Sequence, residues 1–358
     1  MLRPPWNVRT SRTGPAPPMM RLATTPLLVL FASLASTSCM WNTSHVREER
    51  QAPDEDELLE LYVTTATYLY DDGSFLRAQE QAVKALELDP GNVPMSRMAG
   101  WIKLRLGKTE DVLVARNLFR KLVREGDDNE GTLIGLATAT ERLGTGYDRA
   151  AREVLAGDRH PEPGLDAAQS AEKHREEAQS LWKEAVALYE STLVDGEGST
   201  AAMNGLQRTY ALMGDFENSL VWTDRLIVRS TDELEVWRRM LTGSDLSQRE
   251  ESLYRENERV ARELQVQTHL FASTLLHDLG RLEEAIQHLD WVAEADAQLP
   301  QVYSRRAQLL AKTGSYQPAI GDLDRFLALS DAPFEDPSIK QAFALRSECE
   351  SALASARD

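Results

Sequence analysis

The chain has 358 residues, a formal net charge of −17 and two cysteines, Cys39 and Cys349. Its length allows about two globular domains, and two cysteines exclude a disulfide framework. The acidity argues against nucleic acid and against adhesion to anionic lipid headgroups, because both select a basic face.

Residues 1–39 predict an N-terminal extension and a lipoprotein-type signal peptide. Arg21 precedes a short apolar run, Leu27-Leu28-Val29-Leu30-Phe31-Ala32. A bilayer span needs about 20 apolar residues, so this run fits the apolar region of a secretory signal instead. Ala35-Ser36-Thr37-Ser38 then lead to Cys39. That position resembles the lipidated cysteine of bacterial lipoproteins, although Ser36 stands where their motif usually has leucine. A cleaved, non-lipidated secreted protein is the alternative. A start at Met19 or Met20, rather than Met1, would give the signal an ordinary length. Residues 40–54 are polar and predict a flexible tether. Residues 1–39 hold four arginines and no acid, so the remainder carries 36 basic and 57 acidic residues, a charge of −21.

From residue 55 a helical pattern repeats. Before Gly73, Tyr62, Ala66 and Leu69 recur at helical spacing; after it, Ala78, Ala82 and Ala85 line one face. Asp89-Pro90-Gly91-Asn92 then breaks the chain. Gly107 follows Gly73 by 34 residues, Gly144 follows by 37, Gly214 by 70, Gly280 by 66 and Gly314 by 34. Both long gaps are close to two periods. Residues 55–156 are therefore predicted as repeats. Residues 157–180, opened by Pro161-Glu162-Pro163-Gly164, predict a charged helical insertion that projects from the array or caps a break in it. Repeats resume over 181–331, including a unit around Trp237 and Val260 with Gly243 displaced from its turn. Residues 332–358 predict a capping helix and tail. The array would hold roughly seven or eight hairpins.

The small residues have a physical reason. Two short antiparallel helices cross closely only where side chains are small, hence Ala78, Ser219, Ala285 and Ala319 early in second helices. Gly73, Gly107, Gly144, Gly214, Gly280 and Gly314 would be the turn residues that tolerate positive φ. One hairpin cannot bury its apolar stripe alone, so neighbours must stack. As a set, this pattern resembles the tetratricopeptide repeat (TPR). The resemblance implies an all-α fold: a right-handed superhelical solenoid of antiparallel helical hairpins with a C-terminal capping helix.

No set of residues suggests catalysis. Gly107-Lys108-Thr109 lacks the upstream glycine of a phosphate loop, since residue 102 is isoleucine. The six histidines include no metalloprotease pair, and Cys349 has no histidine after it. The expectation is a non-enzymatic protein with no metal, no cofactor and no small-molecule substrate.

In the TPR family the first helix of each hairpin lines a concave groove. Here that face lies about 100° from the packing face, one residue along. It holds Arg97, Trp101 and Arg105, then Arg142, Asn204 and Arg208, then Arg238, His277, Gln308 and Lys312. On so acidic a chain this face is basic and amide-rich, with an exposed tryptophan, and arginine and aromatic residues anchor many interfaces. The competing reading is that these arginines pair with neighbouring glutamates. The resemblance to bacterial TPR envelope lipoproteins implies a scaffold that holds peptides of envelope proteins, tethered to a membrane through Cys39. Assembly of a secretion, pilus or outer-membrane complex is the expected role; an adaptor that positions cell-wall hydrolases or synthases is the alternative.

Overall fold

The first described helix starts where acidic residues can meet a helix dipole. The Asp54 side chain accepts the Glu57 N–H at 2.8 Å, and Glu55, Asp56 and Glu57 fill the first turn of α1 (Glu55–Asp71). The structure is a computed structural model that describes residues 54–194, 198–243 and 246–355. Cys39, the apolar run and the tether up to residue 53 lie outside them.

Among the described residues the chain forms thirteen helices. Six hairpins pair α1 with α2 (Phe75–Leu88), α3 (Val93–Leu106) with α4 (Thr109–Arg124), α5 (Glu130–Ala156) with α6 (Ala167–Glu190), α7 (Thr200–Leu212) with α8 (Phe216–Leu241), α9 (Gln248–Asp278) with α10 (Leu282–Ala295), and α11 (Pro300–Lys312) with α12 (Tyr316–Leu329). α13 (Pro337–Ser355) closes the array against α12. Each helix packs mainly on its predecessor and successor in sequence, with lighter packing between alternate helices such as α3 with α5 and α5 with α7.

Four hairpin turns close alike. The residue after the glycine donates its N–H to a carbonyl five residues back: Ser74 to Leu69 at 2.8 Å, Asp215 to Tyr210 at 2.9 Å, Arg281 to Leu276 at 2.8 Å and Ser315 to Leu310 at 2.7 Å. This closure puts the glycine in the left-handed region, with φ of 78° at Gly73, 79° at Gly214, 76° at Gly280 and 79° at Gly314. Gly107 ends α3 with φ 76°. Behind each turn, Ala78, Ser219, Ala285 and Ala319 are fully buried where the helices cross.

Gly144 departs from the expected pattern. It lies inside α5, with no turn near it. A Cβ there would come within 2.7 Å of Trp182 Nε1 and 3.1 Å of the Ala178 carbonyl oxygen. Gly144 is therefore a close-crossing residue under the Trp182 indole. The turn of this hairpin falls at Gly157, with φ 80°, and a short stretch up to Asp166 carries the chain into α6. Asp166 and Gln169 form a reciprocal cap at the start of α6.

The insertion is also corrected, and the unit around Trp237 takes a different form. Residue 180 falls inside one continuous helix, α6, whose early residues Ser170, Ala171, His174 and Ala178 are buried against the lengthened α5. Nothing there projects as a separate helix. The unit around Trp237 and Val260 has no helices of its own; it is built from the ends of two long helices joined between Leu241 and Gln248. The late turns of α8 and the early turns of α9 pair with each other as an arm. Gln265 Nε2 donates to Thr231 Oγ1 at 2.7 Å, Arg238 Nε lies 3.3 Å from a Glu258 oxygen, and Trp237 and Tyr254 rings are 6.0 Å apart. Among the described residues the array thus holds six hairpins, the arm as a seventh antiparallel pairing, and a cap, where the glycine spacing suggests seven or eight hairpins.

Candidate interaction groove

The first helices of consecutive hairpins bring three arginines into electrostatic range: Arg105 at the end of α3, Arg142 in α5 and Arg208 in α7. Next to Arg142 stands Glu141, which α5 turns inward so that it is almost fully buried. Arg208 grips Glu141 with two bonds, Nε at 2.6 Å and Nη2 at 2.5 Å. The Tyr189 hydroxyl, from α6, donates to the same carboxylate at 3.0 Å and lies 3.0 Å from Thr138 Oγ1. A buried carboxylate without such partners would cost several kcal/mol, so this network holds two consecutive hairpins, α5–α6 and α7–α8, in register.

The charges around it are unbalanced. Burial alone would lower the Arg208 pKa, but the paired Glu141 outweighs it and the guanidinium rises above its ordinary range. Arg142 moves the other way. Burial lowers it first, Glu141 opposes that, and the neighbouring Arg208 and Arg105 push it further down. Its Nη1 donates only to the neutral Leu104 carbonyl, at 2.5 Å. Arg105 is exposed and, among the described residues, has no hydrogen-bond or ion-pair partner. Arg142 and Arg208 thus flank one carboxylate that is already spent on Arg208 and Tyr189, and Arg105 adds a further positive charge near Arg142.

The other predicted groove residues are distributed differently. Arg97 is engaged internally: Nη2 lies 2.9 Å from an Asp127 oxygen and Nε donates to Thr132 Oγ1 at 2.7 Å. Trp101 is half-buried rather than exposed, edge-on to Phe119 with centroids 5.7 Å apart, so it belongs partly to the core. Asn204 is half-buried in α7, one turn before Arg208. Arg238 sits in the α8–α9 arm with Glu258 at 3.3 Å, not with the arginine cluster. His277 and Lys312 meet across α9 and α11, Nε2 to Nζ at 2.5 Å, and Gln308 is exposed one turn earlier on α11.

Sequence reasoning misses Glu141, Tyr189 and Arg305. Glu141 precedes Arg142 and carries no signal of its own; only a buried position makes it an anchor. Arg305 lies at helical spacing from the predicted groove residues Gln308 and Lys312. It is half-buried without a partner among the described residues, and burial holds its guanidinium below the ordinary range.

Comparisons with family models and with curated proteins find no match. Among solved structures, the chain is similar to pilF of Pseudomonas aeruginosa, with 13% identity and a TM-score of 0.43 over 81% of this chain and 98% of that one. It is similar to a thermophilic TPR protein of Thermus thermophilus, with 16% identity and a TM-score of 0.38 over 72% and 100%. It is also similar to a TPR protein of Parabacteroides merdae, with 15% identity and a TM-score of 0.35 over 81% and 99%. By its own hairpins, their left-handed glycine turns and the small residues at their crossings, the chain is an all-α helical-repeat solenoid similar to TPR proteins.

Proposed function

We propose that this chain is a non-enzymatic interaction scaffold of the bacterial cell envelope that binds acidic segments of partner proteins at the Arg105–Arg142–Arg208 cluster. The observation that carries this reading is the imbalance at that cluster. Arg105, Arg142 and Arg208 gather their charges near one buried carboxylate that Arg208 already holds, on a chain whose net charge is −17. Arg105 and Arg142 keep donors free for a ligand carboxylate, and guanidinium suits that task because its donors match two oxygens at once. Arg208 is set aside as a structural member, since its charge is matched internally.

The test is a pull-down from an envelope extract followed by titration of the captured partner. Arg105→Glu places repulsion opposite an acidic ligand without breaking an internal pair. It should weaken binding about tenfold, and more so at low salt, where screening is least. Lys183→Glu, exposed on the second helix of its hairpin, should bind as the parent does. Equal affinity for these two variants, both folded, would remove the cluster from the site.

Export and lipidation rest on the sequence: Cys39 stands behind a short apolar run and four small residues. A clickable fatty acid should label the parent protein and leave Cys39→Ser unlabelled. A parent protein that stays unlabelled and partitions into the soluble envelope fraction would end the lipid-anchor reading.

A further inference from the structure

A pair of histidines lies where the fifth hairpin closes. His269 of α9 and His288 of α10 approach with their Nδ1 atoms 2.9 Å apart. His269 is buried to 8% exposure, and its ring stacks on Trp291 of α10 with centroids 4.0 Å apart and planes 9° from parallel. Two imidazoles can share one such bond only if one Nδ1 donates and the other accepts. A first added proton can sit on a distal nitrogen and leave the bond intact. A second must occupy the accepting Nδ1, and two N–H groups then face each other across the same gap.

We propose that His269 and His288 form an acid-released latch on the fifth hairpin, which holds while either imidazole is neutral and parts when both are protonated.

The surroundings decide the order of protonation. From α8, Asp224 acts on His288, and from α10, Glu284 does so too; both favour its charged form against the burial that lowers it. Arg281, before α10, acts on Asp224 and hydrogen-bonds Glu284 at 2.7 Å, which tempers both acids. α11 reaches α10 through Arg306, whose charge is taken up by Asp290 and Asp322, both at 2.7 Å. His269 has no acid on it: burial first, then the charge of His288, push it down to about 4. His288 therefore charges first and His269 last. A folded pKa below the ordinary value of about 6.5 means the neutral ring is the one the fold favours. The contribution is complete above that value and is lost as the pH falls towards 4. α9 also carries His277, one of the predicted groove residues.

The test is thermal unfolding from pH 7.5 to pH 4 of the parent chain and of His269→Phe, which keeps a flat ring for Trp291 and removes the titrating pair. The parent should lose about 5 °C or more of melting temperature beyond the loss in His269→Phe over that range. Parallel profiles would overturn the latch. Should His269→Phe fail to fold, ring-carbon NMR of the histidine-labelled parent decides the matter. A His269 signal that titrates well below the free-imidazole range, together with a change in Trp291 ring shifts, supports the latch; titration in the ordinary range overturns it.

Discussion

At the residue scale, the close crossings are made by glycines that face rings. The Phe119 ring of α4 sits between Gly100 of α3 and Gly135 of α5, and a Cβ at Gly100 would come within 2.6 Å of it. Gly205 of α7 lies in the same relation to the Tyr189 ring of α6. Replacing a hydrogen with a methyl at such a point forces a buried aromatic ring to move. Gly135→Ala and Gly205→Ala should therefore each destabilise by about 1–3 kcal/mol in chemical unfolding. Gly321, in α12, is exposed with open space around its Cβ position. Gly321→Ala should stabilise by about 0.5–1 kcal/mol, from helix propensity and reduced unfolded-state freedom alone. A loss of stability in Gly321→Ala, or none in the other two, would mean that the crossings are looser than described. These contacts are not legible in the sequence. A glycine that must fit under a ring and a glycine that must turn the chain look alike there; Gly144 has the spacing of the second and the surroundings of the first. The groove arginines are legible by phase, because their face is set by helical periodicity. Which of them are spent is not, since that depends on Glu141, Asp127 and Glu258 arriving from elsewhere in the chain.

At the element scale, helix length is what the glycine spacing conceals. The gap from Gly107 to Gly214 contains a complete hairpin, α5 with α6, turned at Gly157. In the gap from Gly214 to Gly280 the additional pairing is made by the late turns of α8, with 26 residues, and the early turns of α9, with 31, rather than by separate helices. A long amphipathic helix and two short ones carry the same apolar period, so only the position of the turn separates them. The crossings themselves are legible, since fully buried small residues follow four of the turns. Ala285→Leu and Ala319→Leu should each cost about 1–3 kcal/mol by overpacking. Ala167→Leu, at the half-buried first turn of α6, should cost much less. Equal shifts in the melting temperature of all three would mean that the second helices pack on some other face.

At the scale of the whole molecule, acidity and the local basic cluster act at different ranges. Net negative charge keeps a long helical surface soluble and repels acidic proteins in bulk, whereas Arg105 and Arg142 act only within a Debye length of about 8 Å at physiological ionic strength. Under the proposed function, a ligand must bring its carboxylates close to gain anything, which favours an inserted segment over a folded acidic surface. The near-sequential packing has a consequence of another kind. Because each helix rests on the helix just before it, a hairpin has most of its partners as soon as it is synthesised. The chain can build its solenoid from the N-terminal end while the ribosome is still adding residues, one hairpin serving as template for the next. The Glu141 network is one of the points at which this growth reaches back across a helix: the carboxylate on α5 gains its Arg208 partner only when α7 emerges.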